Sequence, residues 1–143
     1  RIKNRQRINE LKWFSKAPSN IDASGDKMKL LNTHELVVKK SRFVAYYYEI
    51  TSKEEAKIIY ETLKKEHKKA RHIPYAYILE NTASKSDDKE PSGTSGMPIY
   101  QVLEQKKLIN RGVFVVRYFG GIKLGAGGLT RAYREATRNS IND

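Results

Sequence analysis

The chain contains no cysteine, and this absence excludes disulfides, thiol catalysis and zinc–thiolate sites. No apolar run is long enough to cross a bilayer as a helix, so we expect no membrane partner. Acidic residues are scarce, because 16 aspartates and glutamates accompany 28 lysines and arginines, which gives a formal net charge of +12 over 143 residues. A chain with this charge attracts polyanions such as nucleic acid. The lack of cysteine also permits a reducing compartment, and we expect a cytoplasmic location.

Glycine is sparse as well, with nine residues in the chain, yet five of them lie together between a predicted strand and a predicted helix. Residues 112–116 are typical of a buried strand, and apolar residues recur at helical spacing over residues 129–136. The first amides of such a helix lack intrahelical acceptors and its macrodipole is positive there, so a phosphate or carboxylate can bind. The run matches neither a Walker loop nor a dinucleotide-binding fingerprint. A second interpretation, in which the glycines only make a tight turn, stays open. The glycines are Gly120, Gly121, Gly125, Gly127 and Gly128.

The positive charge is concentrated around this glycine run, since residues 106–138 contain eight lysines and arginines and one acid, Glu135. Three arginines of the predicted helix are spaced three and four residues apart and therefore share one helix face. Their planar guanidinium groups suit phosphate oxygens, whereas the lysines of residues 53–69 are interpreted as solvated surface. Five phosphate contacts to a single strand predict a log–log salt slope of about −3.5. The predicted contacts come from Arg117, Lys123, Arg131, Arg134 and Arg138.

Four motifs follow one another in the chain and together resemble a known family. They are KSRF at residues 40–43, ARHIPYAY at residues 70–77, SDDKEPSGTSGMP at residues 86–98 and RYFGGIKLGAGGLTRAY at residues 117–133. In this order they resemble the IMPACT/YigZ family over about residues 33–141, and the match is closer to the bacterial YigZ type than to the eukaryotic Impact proteins. One departure is Lys89, which stands where the family has a glycine, at a position where a positive φ is expected.

The resemblance implies an α+β fold with a single sheet and helices packed on one face. This is the ribosomal-protein domain-2-like fold of domain IV of elongation factor G and of the protein subunit of ribonuclease P. The pattern of the chain agrees with that class, because it predicts the order β-β-α-β-α-β-α. The predicted strands lie near residues 36–39, 43–50, 75–79 and 112–116, and the helices begin near Ser52, Pro98 and the glycine run. The ferredoxin-like second domain common in YigZ-type proteins is not expected before Asp143.

Residues 1–29 are predicted to be a basic arm and linker that precede the family domain at residues 30–143. The arm is rich in arginine and carries Trp13 and Phe14. Three interpretations stay open: it docks on the domain as plain structure, it reaches onto RNA with Trp13 stacked on a base, or it is the remnant of an organellar targeting segment.

The primary hypothesis is a non-catalytic module of translation or its regulation that binds RNA or the ribosome, as the resemblance implies. One alternative is a protein-interaction regulator of a translation stress pathway, whose partner is a translation-associated protein. A second alternative is a hydrolase that uses the acids of residues 87–90. We expect no cofactor and no metal, since the histidines lack ligand spacing and the acids are placed to shape a turn. Further surface residues carried over from the family motifs are Ser41, Arg42, His72, Asp87, Asp88, Glu90 and Thr94.

Overall fold

The computed structural model describes residues 28–142. Within this range the chain forms five strands and three helices. They are β1 (Lys29–Val38), β2 (Ser41–Glu49), α1 (Lys53–Glu66), β3 (Tyr75–Ile78), β4 (Ala83–Ser86), α2 (Gly96–Gln105), β5 (Arg111–Tyr118) and α3 (Gly125–Asn142). The strands form one sheet in the order β1-β2-β5-β3-β4, in which every neighbouring pair is antiparallel. The predicted α+β class with a single sheet is confirmed.

Strands β2 and β5 carry apolar side chains on both faces, so the sheet lies between two layers. Val44 and Tyr46 of β2 pack in one cluster with Ile59 of α1, while Phe43 and Ala45 pack in the other cluster with residues of α2 and α3. Successive side chains of a strand point to opposite faces, and this alternation explains the two clusters. Helices α2 and α3 therefore pack together on one face, as predicted, and α1 covers the opposite face.

Helix α1 begins where the sequence predicted, because its first turn is capped locally. The Glu55 backbone N–H donates to Ser52 Oγ at 3.2 Å, and the Thr51 N–H donates to the Glu55 carboxylate at 2.8 Å. These bonds satisfy amides that have no acceptor inside the helix. None of the helices within residues 28–142 has the length and apolar character needed to cross a membrane.

Three elements differ from the prediction. Strand β1 begins at Lys29, seven residues before the predicted start, and its polar residue Asn32 is buried because its side chain donates to the Ser140 carbonyl at 2.7 Å. Strand β4 was predicted as loop, since its sequence is polar. Helix α2 begins at Gly96, two residues before Pro98. Of the basic arm and linker predicted at residues 1–29, residues 1–27 lie outside the described residues, while Met28 is buried in the core and Lys29 begins β1.

Candidate functional site

All four sequence motifs meet at one end of the sheet. The antiparallel register pairs Arg42 of β2 with Tyr118 of β5, and an isolated bridge pairs His72 with Arg117. The β1–β2 turn, the segment before β3, the loop after β4 and the glycine loop after β5 therefore lie at the same end. We call this end, with its loops, the motif end.

The β1–β2 turn and the glycine loop are in direct backbone contact. Lys39 and Lys40 form a two-residue turn with φ values of 47° and 69°, as a type I′ hairpin requires. A Cβ placed on Gly120 would lie 2.1 Å from the carbonyl carbon and oxygen of Lys40. The Gly120 N–H donates to the buried Ser41 hydroxyl at 3.1 Å. Glycine at position 120 thus allows the loop to rest on the turn.

The rest of the glycine loop faces solvent. Gly121 has a φ of 91° and no neighbour where its Cβ would lie, while Gly125, Gly127 and Gly128 form the first turn of α3. Ile122, between them in sequence, is 43% exposed. The loop therefore presents its backbone and one apolar side chain at the surface.

Beneath the loop lies a buried ion pair that sequence reasoning missed. Arg117 Nη1 donates to both carboxylate oxygens of Glu90, at 3.0 and 2.9 Å, and the side chains are 8% and 2% exposed. The Tyr133 hydroxyl of α3 also donates to Glu90. Burial, followed by the negative charge of Glu90, raises the pKa of Tyr133, so this hydroxyl stays protonated and keeps donating.

This burial changes the role of Arg117. Its guanidinium lies 5.8 Å from the ring centre of Phe43 and 5.6 Å from that of Phe119, in addition to its pairing with Glu90. Alternation along β5 places Arg117 on the same face as Val113 and Val115, which belong to the core below α2 and α3. Arg117 is therefore an internal partner of Glu90, and it leaves the predicted set of phosphate contacts.

Asp88 ties three segments together. Its carboxylate accepts from the Tyr60 hydroxyl of α1 at 2.7 Å and from the Ile73 N–H at 2.7 Å. Its carbonyl accepts from His72 Nδ1 at 2.8 Å, which leaves His72 Nε2 at 3.7 Å from Glu90. His72 is thus held by the loop that carries Asp88, and its Nε2 faces the ion pair.

Asp87 closes the start of α2. Its carboxylate accepts from the backbone N–H groups of Gly93, Ser95 and Gly96 at 2.9, 3.2 and 2.8 Å. Burial alone raises the pKa of Asp87, but these hydrogen bonds and that of the Ser95 hydroxyl outweigh it, so the pKa lies below its ordinary value of 3.8. The carboxylate therefore serves as an N-terminal cap of the helix.

We expect this cap to make stability fall in acid. A group whose pKa is depressed by folding stabilises the folded state above its unfolded value and loses that contribution as the pH falls through the folded value. The wild type should lose stability to urea more steeply than Asp87→Asn between about pH 5 and pH 2. Glu61→Gln, at an exposed position of α1, is the control and should follow the wild type. If the free energies of unfolding of the wild type and Asp87→Asn fell in parallel as the pH decreased, the role of Asp87 as a cap would be contradicted.

Lys89 has the positive φ that its place in the motif predicted. The tight turn at residues 87–90 is closed by the Glu90 N–H donating to the Asp87 carbonyl at 2.9 Å, and Asp88 and Lys89 have φ values of 45° and 72°. A side chain in this region is strained, whereas glycine is not.

Lys89→Gly should therefore raise the free energy of unfolding by roughly 0.5–1 kcal/mol, because relief of strain exceeds the entropy that glycine loses on folding. Urea denaturation measures this difference. Lys57→Gly in the interior of α1, also exposed, should lower the stability by about 1 kcal/mol. A loss of stability in both variants would contradict a strained Lys89.

The remaining predicted contacts divide into exposed and enclosed groups. Lys123, Arg131 and Arg138 are exposed, and Arg134 is partly buried with Nη2 donating to Gln101 at 3.2 Å. Arg42 is 45% exposed and pairs with Glu35. Arg131 lines a groove of about 200 Å³ together with Val38, Lys39, Leu124, Gly128, Ala132 and Glu135.

Two residues expected at the edge of the phosphate site are enclosed instead. Ser41 is fully buried, and Thr94 is 5% exposed with its hydroxyl donating to the Pro91 carbonyl at 2.6 Å. Both hydroxyls serve backbone contacts of the motif end. Among the described residues, no three histidine, aspartate or glutamate side chains are placed to hold a metal ion.

The fold and the motif end define a class of protein: an α+β domain whose glycine loop and acidic loop close over a buried glutamate–arginine pair. The model of the Impact N-terminal domain matches residues 39–141. The chain is 40% identical over 118 residues to the IMPACT family member YvyE of Bacillus subtilis, covering 80% of this chain and 54% of that protein. It is 39% identical over 101 residues to the IMPACT family member YigZ of Escherichia coli, covering 67% and 50%. The chain belongs to the IMPACT family.

Solved structures share the fold of this chain. A crystal structure of a hypothetical protein is 32% identical, with a TM-score of 0.76, and the match covers 82% of this chain and 61% of that one. The two-domain translational regulator Yih1 is 24% identical, with a TM-score of 0.51, over 78% of this chain and 46% of that one, and it shares the fold. The chain spans about half the length of the relatives YvyE and YigZ.

Proposed function

We propose that this domain is a non-catalytic, cytoplasmic module of translational regulation that binds RNA, free or within the ribosome, through its motif end. The observation that carries the proposal is that the acidic side chains of the motif end are engaged inside the domain, whereas basic side chains at this end are exposed. The carboxylates of Asp87, Asp88 and Glu90 are engaged in hydrogen bonds within the domain. Lys123 and Arg131 are exposed at the same end.

Such a surface suits a phosphate backbone. The exposed cations lie beside the first turn of α3, whose amides and dipole favour an anion, and Arg131 and Arg138 continue along the helix. With Arg117 enclosed, four of the five predicted contacts remain, from Lys123, Arg131, Arg134 and Arg138. Four contacts to a single strand predict a log–log salt slope of about −2.8.

The comparisons support the setting in translation. Yih1 is described as a translational regulator and shares the fold of this chain. The hydrolase alternative is not retained, because the three acids of residues 87–90 are bound internally and serve as a cap, a clamp and an ion-pair partner.

A second candidate function is the docking of a translation-associated protein. Ile122, 43% exposed in the glycine loop, favours it, since protein interfaces use apolar anchors surrounded by polar residues. The two functions differ in their response to nuclease, because protein docking survives the removal of RNA.

Fluorescence anisotropy with a labelled single-stranded RNA across a salt series tests the proposal. Lys123→Glu/Arg131→Glu should abolish salt-sensitive binding. Lys106→Glu/Lys107→Glu makes the same change of charge at the other end of the sheet, after α2, and should retain most of the affinity. Equal losses in the two variants would indicate a general effect of net charge and would contradict a site at the motif end. Binding absent at low salt would favour the protein partner.

A further inference from the structure

A cleft of about 420 Å³ opens between α1 and strand β3, on the face of the sheet opposite α2 and α3. Three aromatic rings line it, Tyr60 from the helix and Tyr75 and Tyr77 from the strand. Its size is within the range of sites for small molecules. The cleft has no residue in common with the glycine loop. The other residues that line it are Lys53, Glu54, Ala56 and Lys57.

The strand register explains why the cleft is open. Strand β4 pairs Ser86 with Tyr75 and Ser84 with Tyr77, and residues directly opposite each other in a sheet share a face. Small serine side chains therefore lie beside the two rings. Ala56, also small, lies on the helix side of the cleft. Small residues thus surround the tyrosines on two sides.

The rings are held in place. Those of Tyr75 and Tyr77 are nearly parallel, with an angle of 9° and centres 6.2 Å apart, and Tyr60 meets Tyr75 edge-on at 5.8 Å. The Tyr60 hydroxyl donates to Asp88 at 2.7 Å. Burial, followed by its hydrogen bond to Asp88 and then by the charge of Asp88, raises the pKa of Tyr60, so the ring remains neutral. Because Tyr77 is 7% exposed, a flat apolar ligand meets the preformed surfaces of Tyr60 and Tyr75.

We propose that this cleft binds a nucleobase of single-stranded RNA, with the base against the tyrosines and its phosphate beside Lys53 and Lys57. The inference deepens the proposed function and rests on it, because it adds a base-stacking contact to the phosphate contacts of the motif end. Charge supports this ligand, since both lysines are exposed and a single acid, Glu54, lines the cleft with them. Aromatic side chains next to cations are the usual means of holding single strands without reading their sequence.

The cleft is also linked to the motif end by a hydrogen bond. Asp88, which accepts from Tyr60 in the cleft, lies in the tight turn that precedes Glu90. A single RNA strand that leaves the cleft along this turn reaches the loops of the motif end. The lysines of α1, which the sequence indicated as ordinary solvated surface, gain a role here.

Titration with adenosine 5′-monophosphate, followed by NMR and calorimetry on the full chain, tests the inference. Ribose 5-phosphate, which lacks the base, is the matched probe. We expect the nucleotide to bind with shifts confined to the cleft and the sugar phosphate not to bind at the same concentration. Tyr75→Leu and Tyr60→Leu should weaken nucleotide binding about 5- to 150-fold. Tyr100→Leu removes a partly buried tyrosine on the other face and should have no effect.

Lys57→Glu keeps the test independent of folding, because Lys57 is exposed on α1. It should weaken nucleotide binding, whereas Lys69→Glu, after the helix, should not. Equal binding of the two probes, no binding of either, or equal effects of Tyr75→Leu and Tyr100→Leu would overturn the inference. If Lys123→Glu/Arg131→Glu leaves RNA binding intact while the nucleotide still binds the cleft, the proposed site at the motif end fails and the cleft stands.

Discussion

Gly120→Ala should destabilise the domain by about 3 kcal/mol or more and prevent folding if the total stability is low. The added Cβ would lie 2.1 Å from the carbonyl atoms of Lys40 and 2.6 Å from its Cβ. The neighbour is backbone within a tight two-residue turn, so the contact cannot be relieved by rotating a side chain. Separation of the loop from the turn would also break the bond from the Gly120 N–H to Ser41. Guanidinium denaturation of the full chain measures the loss.

Gly121→Ala is the control for this prediction. Its Cβ would meet no atom within 4 Å, but its φ of 91° disfavours a side chain. The cost should therefore be about 1–2 kcal/mol, from backbone strain without a clash. Gly120 itself has no positive φ, so a loss in Gly120→Ala no larger than that in Gly121→Ala would contradict close packing against Lys40 as the reason for glycine at position 120.

Elements with local signals could be predicted from the sequence. Helix α1 carries its cap in Ser52 and Glu55, and α3 carries apolar residues at helical spacing. Strand β5 is an uninterrupted apolar run between Gly112 and Val116. In each of these cases, residues within a few positions of one another determine the conformation.

Elements that depend on distant contacts could not be predicted. Asn32 is buried in β1 because its side chain bonds Ser140, 108 residues away. Strand β4 has no apolar face of its own, so its extended conformation depends on pairing with β3. Polar residues of this kind indicate loops unless the partner is known.

The role of Arg117 had a signal that was available in the sequence. Val113, Val115 and Arg117 alternate along β5, so the arginine is on the inward face of a strand whose other inward residues are apolar. A buried arginine needs an acid, and Glu90 lies in the acidic motif 27 residues earlier. The identity of the residue and its place beside the glycine run suggested a surface contact instead.

Glu90→Ala should lower the free energy of unfolding by about 3–5 kcal/mol, the cost of leaving one member of a buried ion pair without its partner. Arg117 would keep its charge at 7% exposure, and the Tyr133 hydroxyl would lose its acceptor. Tyr133→Phe removes only that hydroxyl and should cost about 2 kcal/mol, because its acceptor is charged. Denaturation of each variant at neutral pH provides the comparison.

The double variant Glu90→Leu/Arg117→Met separates the pair from its surroundings. Apolar side chains of similar length remove both charges, so the double variant should be more stable than either single change. A large coupling energy of this kind would assign to the pair the task of fixing the acidic loop beneath the glycine loop. If the stability losses of the two single variants simply added in the double variant, the two side chains would act independently. The placement of Lys123 and Arg131 at the motif end would then depend on other contacts, first among them the contact between Gly120 and Lys40. Comparison of the single and double variants therefore also identifies the interaction that positions the surface on which the proposed RNA contacts lie.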